Sequence, residues 1–90
     1  MTANTHPQGQ RLSIITAGTK WVSKPDGHWA ATLADGQHAE VWRGRAGIYW
    51  AIENRCGQSG HPDIIRACNA LSVEARARAE HEAMRWERVS

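Results

Sequence analysis

Between Arg11 and Asn54 apolar and polar residues alternate in runs of five to seven, each closed by a turn signal. Beyond Pro62 the apolar spacing lengthens to three and four. The first rhythm belongs to strands with one buried face, the second to a helix. Arg11–Thr16 is short and β-branched and reads as a strand. Ala17-Gly18 marks a turn or bulge, so Lys20–Lys24 is either a second strand or a continuation of the first. Pro25-Asp26-Gly27 is a turn in which Pro presets φ and Gly accepts a positive one. His28–Ala34 and His38–Arg43 follow as strands around Asp35-Gly36, and Gly44–Gly47 loops back into Ile48–Asn54. That last strand is the clearest: Ile48, Trp50 and Ile52 share one face, and Tyr49, Ala51 and Glu53 the other. Cys56–Gly60 is expected to end the sheet.

His61-Pro62-Asp63 opens the helical part, with Pro at the first helical position. Ile64, Ile65, Cys68 and Leu71 form an apolar stripe. Ser72 either caps a second helix or lies inside one long one. From Val73 to Val89, Ala75, Ala79, Ala83 and Trp86 line one side, while Val73, Ala77 and Met84 line nearly the opposite one. The pattern predicts an α+β fold: an antiparallel meander of three to four strands over residues 11–54, then one or two helices over 62–89 packed on one face. Residues 1–10, with Pro7 and Gly9, are expected to be a flexible tail ahead of a single domain spanning 11–90.

The register around Asp35-Gly36 decides which face is core. A two-residue turn, which suits type I′, places Trp29 opposite Trp42 and gives a core face of Ala30, Thr32, Ala39, Val41, Ile48, Trp50 and Ile52. A three-residue loop instead groups Trp29, Ala31, Leu33, Ala39 and Val41. The two-residue turn is the expectation, because Ala30 and Ala34 leave room for a helix. In either register Trp42 and Tyr49 fall on the face away from Trp50, as cross-strand neighbours.

Composition narrows the classes. A chain of 90 residues makes one small domain with a thin core, which favours a binding surface over a catalytic pocket. The net charge is +2, and the excess of basic over acidic residues lies before Gly60. That is too weak a field to demand a polyanionic partner. No apolar run is long enough to span a membrane, and no leader opens the chain. With two cysteines, a reducing, cytoplasmic setting is expected rather than a disulfide scaffold. Five tryptophans without a single Phe are the anomaly. Tryptophan buries large area at low entropy cost and is enriched at binding hot spots.

The segment from Trp42 to Trp50 holds the best contact candidates. Arg43 and Arg45 would pair with carboxylates or phosphates, and Trp42 and Tyr49 would supply contact area, with Trp21 and Trp86 next. Without a ligand the same residues make a solvated hairpin tip with cross-strand aromatic packing. For a nucleic acid, the candidates are Lys20, Lys24, Arg43, Arg45 and Arg55. Cys56, His61, Cys68 and His81 lack the paired-cysteine spacing of a zinc site, and a Cys56–Cys68 disulfide needs the helix to fold back. His28, His38, His61 and Glu53 match no catalytic signature. The alanine side of the helix would suit close approach by another helix, including that of a second copy. The expectation is therefore a non-enzymatic module without metal or cofactor. It would bind a protein, which could itself belong to a nucleoprotein complex, and act as an inhibitor or adaptor by occluding the partner's surface. The alternative is a sequence-tolerant DNA or RNA binder using the same sheet face. Short motif-free chains are also common among phage and mobile-element accessory proteins, including inhibitors of bacterial defence complexes, an association that no residue carries.

Overall fold

The computed structural model describes residues 12–89, with side chains through Arg85. The expected tail, and the side chain of Trp86, lie outside the described residues. Strands β1 (Ser13–Thr16), β2 (Thr19–Ser23), β3 (Trp29–Thr32), β4 (His38–Gly44), β5 (Gly47–Ile52) and β6 (Arg55–Ser59) form one antiparallel sheet in chain order. A single helix, α1 (Ile64–Val89), follows. The α+β meander is as expected, but the sheet has six strands rather than three to four and extends past residue 54.

Each added strand traces to a turn. Ala17 (φ 49°) and Gly18 (φ 78°) both adopt positive φ, so Thr16 pairs with Thr19 across a two-residue turn and Thr19–Ser23 is a separate strand. A second two-residue turn, Glu53-Asn54 with Glu53 at φ 54°, lies between Ile52 and Arg55 and turns the chain into β6 instead of ending the sheet. The sequence Arg-Cys-Gly-Gln-Ser carries no alternation that could announce a strand.

The two Asp-Gly turns are built alike. In Pro25-Asp26-Gly27 and Ala34-Asp35-Gly36 the glycine has φ 89°, and its N–H donates to the carbonyl three residues back, Lys24 or Leu33, each at 2.9 Å. The aspartate Oδ1 accepts the N–H two residues on, from His28 at 3.0 Å and Gln37 at 3.2 Å. The second loop therefore has three residues, not two, and the expected register is corrected. Trp29 pairs with Val41 and Ala31 with Ala39, so Trp29, Ala31 and Leu33 face the helix while Ala30 and Thr32 face away. This arrangement buries Trp29 and Leu33 where the other would have buried two alanines and a threonine.

The helix also starts later than expected. Asp63 is its N-cap, accepting the N–H of Arg66 at 2.8 Å, and Pro62 precedes the cap. Ser72 caps nothing. It sits fully buried inside the helix, donating to the Cys68 carbonyl at 2.8 Å and accepting from Trp21 Nε1 at 2.8 Å. Small residues on this side, Ala67, Cys68, Ser72 and Ala75, let α1 lie close on a core of Trp21, Leu33, Ala39, Val41, Ile48 and Ile52. Burying side chains such as Val41 or Ile48 contributes about 1.5–3 kcal/mol each. Three polar tethers fix the helix: Thr16 to Asn69, Trp21 to Ser72, and Arg78 to Asp35 at 3.0 Å. From Glu80 to Arg85 every side chain is exposed, so the helix overhangs the sheet. Both cysteines are free, Cys56 exposed and Cys68 buried, and burial pushes the Cys68 thiol up to about 12. Among the described residues no helix is long and apolar enough to cross a membrane.

Candidate binding face

The helix covers one face of the sheet, and no described element covers the other. Strand alternation assigns residues to this open face in three rows that run across the strands. The middle row follows the register Val22, Ala30, Glu40, Ala51, Cys56. Its small side chains make a trough. On one side stands a ridge of Lys24, His28, Trp42, Tyr49 and Gln58. On the other stand Lys20, Thr32, His38 and Glu53. The hollow over the trough measures about 620 Å³.

The first ridge is built by stacking. The His28 and Trp42 rings lie 4.6 Å apart and nearly parallel, and Trp42 and Tyr49 centre 6.1 Å apart at 26°. Tyr49 in turn lies across Gly44, where a Cβ would come within 2.6 Å of its ring. Gly44 is thus a place where the absent side chain makes room for a ring. Gln58 finishes the row, its Nε2 donating to the Ala46 carbonyl at 2.7 Å.

Glu40 ties the ridge to the trough. One carboxylate oxygen accepts from Lys24 Nζ at 2.8 Å and the other bonds His28 Nδ1 at 2.8 Å. The Lys24 hydrogen bond, followed by that of His28, holds the Glu40 carboxyl below its ordinary range, and the same bond raises Lys24. The His28 N–H does likewise for Asp26, lowering it. Lys24, the most basic feature of the ridge, is therefore neutralised where it stands. The second ridge is also internally bonded: Thr32 Oγ1 to His38 Nδ1 at 3.3 Å, and the His38 N–H to Glu53 Oε2 at 2.8 Å.

Of the expected contact residues, Trp42 and Tyr49 come together on this face. Arg43 alternates to the opposite face, paired across the strand with core Ile48, and Arg45 sits exposed at the β4–β5 turn. Trp21 is a correction: at 0% exposure, bonded to Ser72, it is the centre of the core and offers a partner nothing. The nucleic-acid candidates are dispersed as well. Lys20 and Lys24 lie on the open face, Arg43 and Arg55 on the helix side, and Arg45 at the tip. Among the described residues Cys56, His61, Cys68 and His81 are not gathered into a metal-binding group. The sequence reading placed Ala51 with Tyr49 on this face but put Ala30 in the core, because the signal for Ala30 is the register of the β3–β4 loop, and it did not single out Glu40, which alternates with Trp42. Comparison with protein-family models, curated proteins and solved structures finds no match to this chain.

Proposed function

We propose that the chain is a non-enzymatic protein-binding module that docks a partner on the open sheet face and acts by occluding the surface it covers. The observation that carries this reading is the content of that face. An antiparallel sheet with one face in water ordinarily shows polar residues there. This one presents Val22, Ala30 and Ala51 around Glu40 in the hollow and Trp42 and Tyr49 on the ridge beside it, with Ile15 at 72% exposure on the same side. Contiguous apolar surface rimmed by polar groups is the mark of an interaction site. A pre-formed aromatic ridge loses little side-chain entropy on binding.

A protein fits better than a nucleic acid. Base-stacking platforms offer ring faces to the ligand. Here Trp42 already stacks on His28 at 4.6 Å, and Tyr49 centres 6.1 Å from it. Of the two lysines on the face, Lys24 is paired with Glu40 and Asp26, and Lys20 shares its hollow with Glu40 and Glu53, so no basic field forms.

The test is affinity capture with immobilised wild-type chain beside Trp42→Ala and Ala30→Arg. Both substitutions lie on the open face and should leave a cooperative melt. Truncating a hot-spot Trp weakens binding by ~2 kcal/mol or more, so a partner held by the wild type should be lost from both variants. Equal retention by all three proteins refutes the reading. A Trp42→Ala chain that fails to fold would instead make Trp42 a structural residue, and Ala30→Arg would then decide alone.

A further inference from the structure

A second site lies at the far edge of the sheet and rests on observations separate from the open face. Strand β6 is the last in the sheet, so its outer edge has no strand beside it among the described residues. The two-residue turn before it makes Ile52 and Arg55 the first bonded pair, with Trp50–Gly57 and Ile48–Ser59 next. The backbone N–H and C=O groups of Cys56 and Gln58 therefore point outward, unpaired by the sheet. Natural edges are guarded by lysine, proline or a bulge. This strand has no Lys, no Pro and an unbroken register, and its one charge, Arg55, stands at its start and leaves Cys56–Ser59 unguarded.

Beside that edge, on the helix side, runs a cleft of about 300 Å³ between β6 and α1. Its floor is apolar, Trp50, Ile52, Ala67, Ala70 and Leu71, and its rim is polar, with His61, Glu74 and Arg78, of which Arg78 pairs with Asp35 and Glu74. Trp50 spreads toward the edge over Gly57, where a Cβ would sit 2.9 Å from the indole. At one end stands Arg55, which has a 3.5 Å contact with Gln37 and no ion pair among the described residues. An open strand edge facing a helix across an apolar cleft is what strand-addition peptide recognition requires. The backbone supplies affinity, and the cleft selects a side chain.

We propose that β6 and the Trp50–Leu71 cleft together take an extended peptide from another protein as a seventh strand. The peptide places one large apolar side chain in the cleft and an acidic group near Arg55. A second copy of this chain fits less well. Antiparallel pairing of two β6 strands would turn only Arg55, Gly57 and Ser59 toward the cleft side, and none of these fills an apolar floor. A free small molecule would leave the strand edge unused.

The test selects peptides from a random decapeptide display library on the full chain and measures one synthetic winner by titration. Five proteins are compared: wild type, Gln58→Pro, which removes an outward N–H without touching the internal ladder, Gln58→Ala, which removes the same side chain and its bond to Ala46 but keeps the N–H and should bind as the wild type does, Ala70→Trp, which fills the cleft, and Trp42→Ala on the open face. The expected result is a loss of ~10-fold or more in affinity for Gln58→Pro and Ala70→Trp, with Trp42→Ala unchanged. Peptide binding should also slow amide exchange at Cys56 and Gln58. If Gln58→Pro does not fold, Ala70→Trp and the exchange data decide. Three outcomes overturn the proposal: no peptide enriches over an Ala70→Trp counter-selection, the winner is weakened only by Trp42→Ala, or light scattering shows a dimer whose β6 amides are already protected. Loss only with Trp42→Ala would leave the open-face reading standing, so the two can fail independently.

Discussion

At the residue scale, the most consequential contact is the one between Trp21 and Ser72. Both side chains are fully buried, and the indole N–H has the serine hydroxyl as its acceptor at 2.8 Å. Ser72→Ala removes that acceptor while barely changing volume. Leaving a buried donor unsatisfied costs about 1–3 kcal/mol. The urea midpoint should fall accordingly with the slope unchanged, and an unaltered midpoint would show that the N–H finds another partner. Glu40 gives a pH prediction. Its carboxyl titrates lower in the folded chain than unfolded, so its contribution is present above the ordinary carboxylate range and disappears as pH falls through the depressed folded value. Lys24 is raised, so its share persists below its ordinary value and is lost only as alkaline pH passes the folded one. The pair is over a third exposed and screened, so the effect is small. Glu40→Gln should make stability less dependent on pH on the acid side, read as thermal midpoints from neutral pH to pH 3. Parallel acid limbs for the variant and the wild type would count against the assignment.

At the element scale, the helix divides into a packed part and an overhang. The tethers at Asn69, Ser72 and Arg78 and the buried Ala75 all precede Ala79, and every described side chain beyond it is exposed. A chain ending at Ala79 should lose helical circular dichroism yet keep its melting temperature within about 4 °C, the shift expected for a surface change. A larger drop would mean that the overhang supports the sheet. The division was half readable in the sequence. The stripe of Ile64, Ile65, Cys68 and Leu71 announces a helix with one buried side, although Ile65 turns out of it and is exposed, but where the sheet stops beneath the helix depends on strand count and register. The same asymmetry runs through the sheet. Ile48–Ile52 alternates so plainly that its two faces needed no coordinates, and Trp42 beside Tyr49 followed from it. Strand β6 has no alternation and exists because Glu53 accepts a positive φ. Asp35-Gly36 fits two loop lengths locally. The choice between them comes from burying Trp29 and Leu33, together with the Arg78–Asp35 tether from an element 43 residues away. Trp21 looked like a spare tryptophan for the same reason: its partner, Ser72, is far along the chain.

At the scale of the whole molecule, five tryptophans and eleven basic residues could have converged on one surface, and the fold separates those among the described residues. Trp21 is in the core, Trp29 and Trp50 pack partly against it from the helix side, and Trp42 stands in the open-face ridge. The five basic candidates for a nucleic acid divide between the two faces and a turn, with Lys24 held by Glu40 and Asp26. Phosphate binding draws its strength from several cations acting on one strand, and each such contact adds to the salt dependence. With the charges dispersed, the chain should elute unchanged from a sizing column with light-scattering detection, with or without a pool of single- and double-stranded oligonucleotides at low salt. A mass shift that disappears as salt is raised would reverse this conclusion. It would mean that the flanking arginines reorient toward a backbone the sheet itself does not attract, and Arg43→Gln with Arg45→Gln should then abolish the shift. An unchanged elution with a monomeric mass leaves the apolar trough without a cover of its own kind, and so leaves a foreign protein surface as the occupant its chemistry favours.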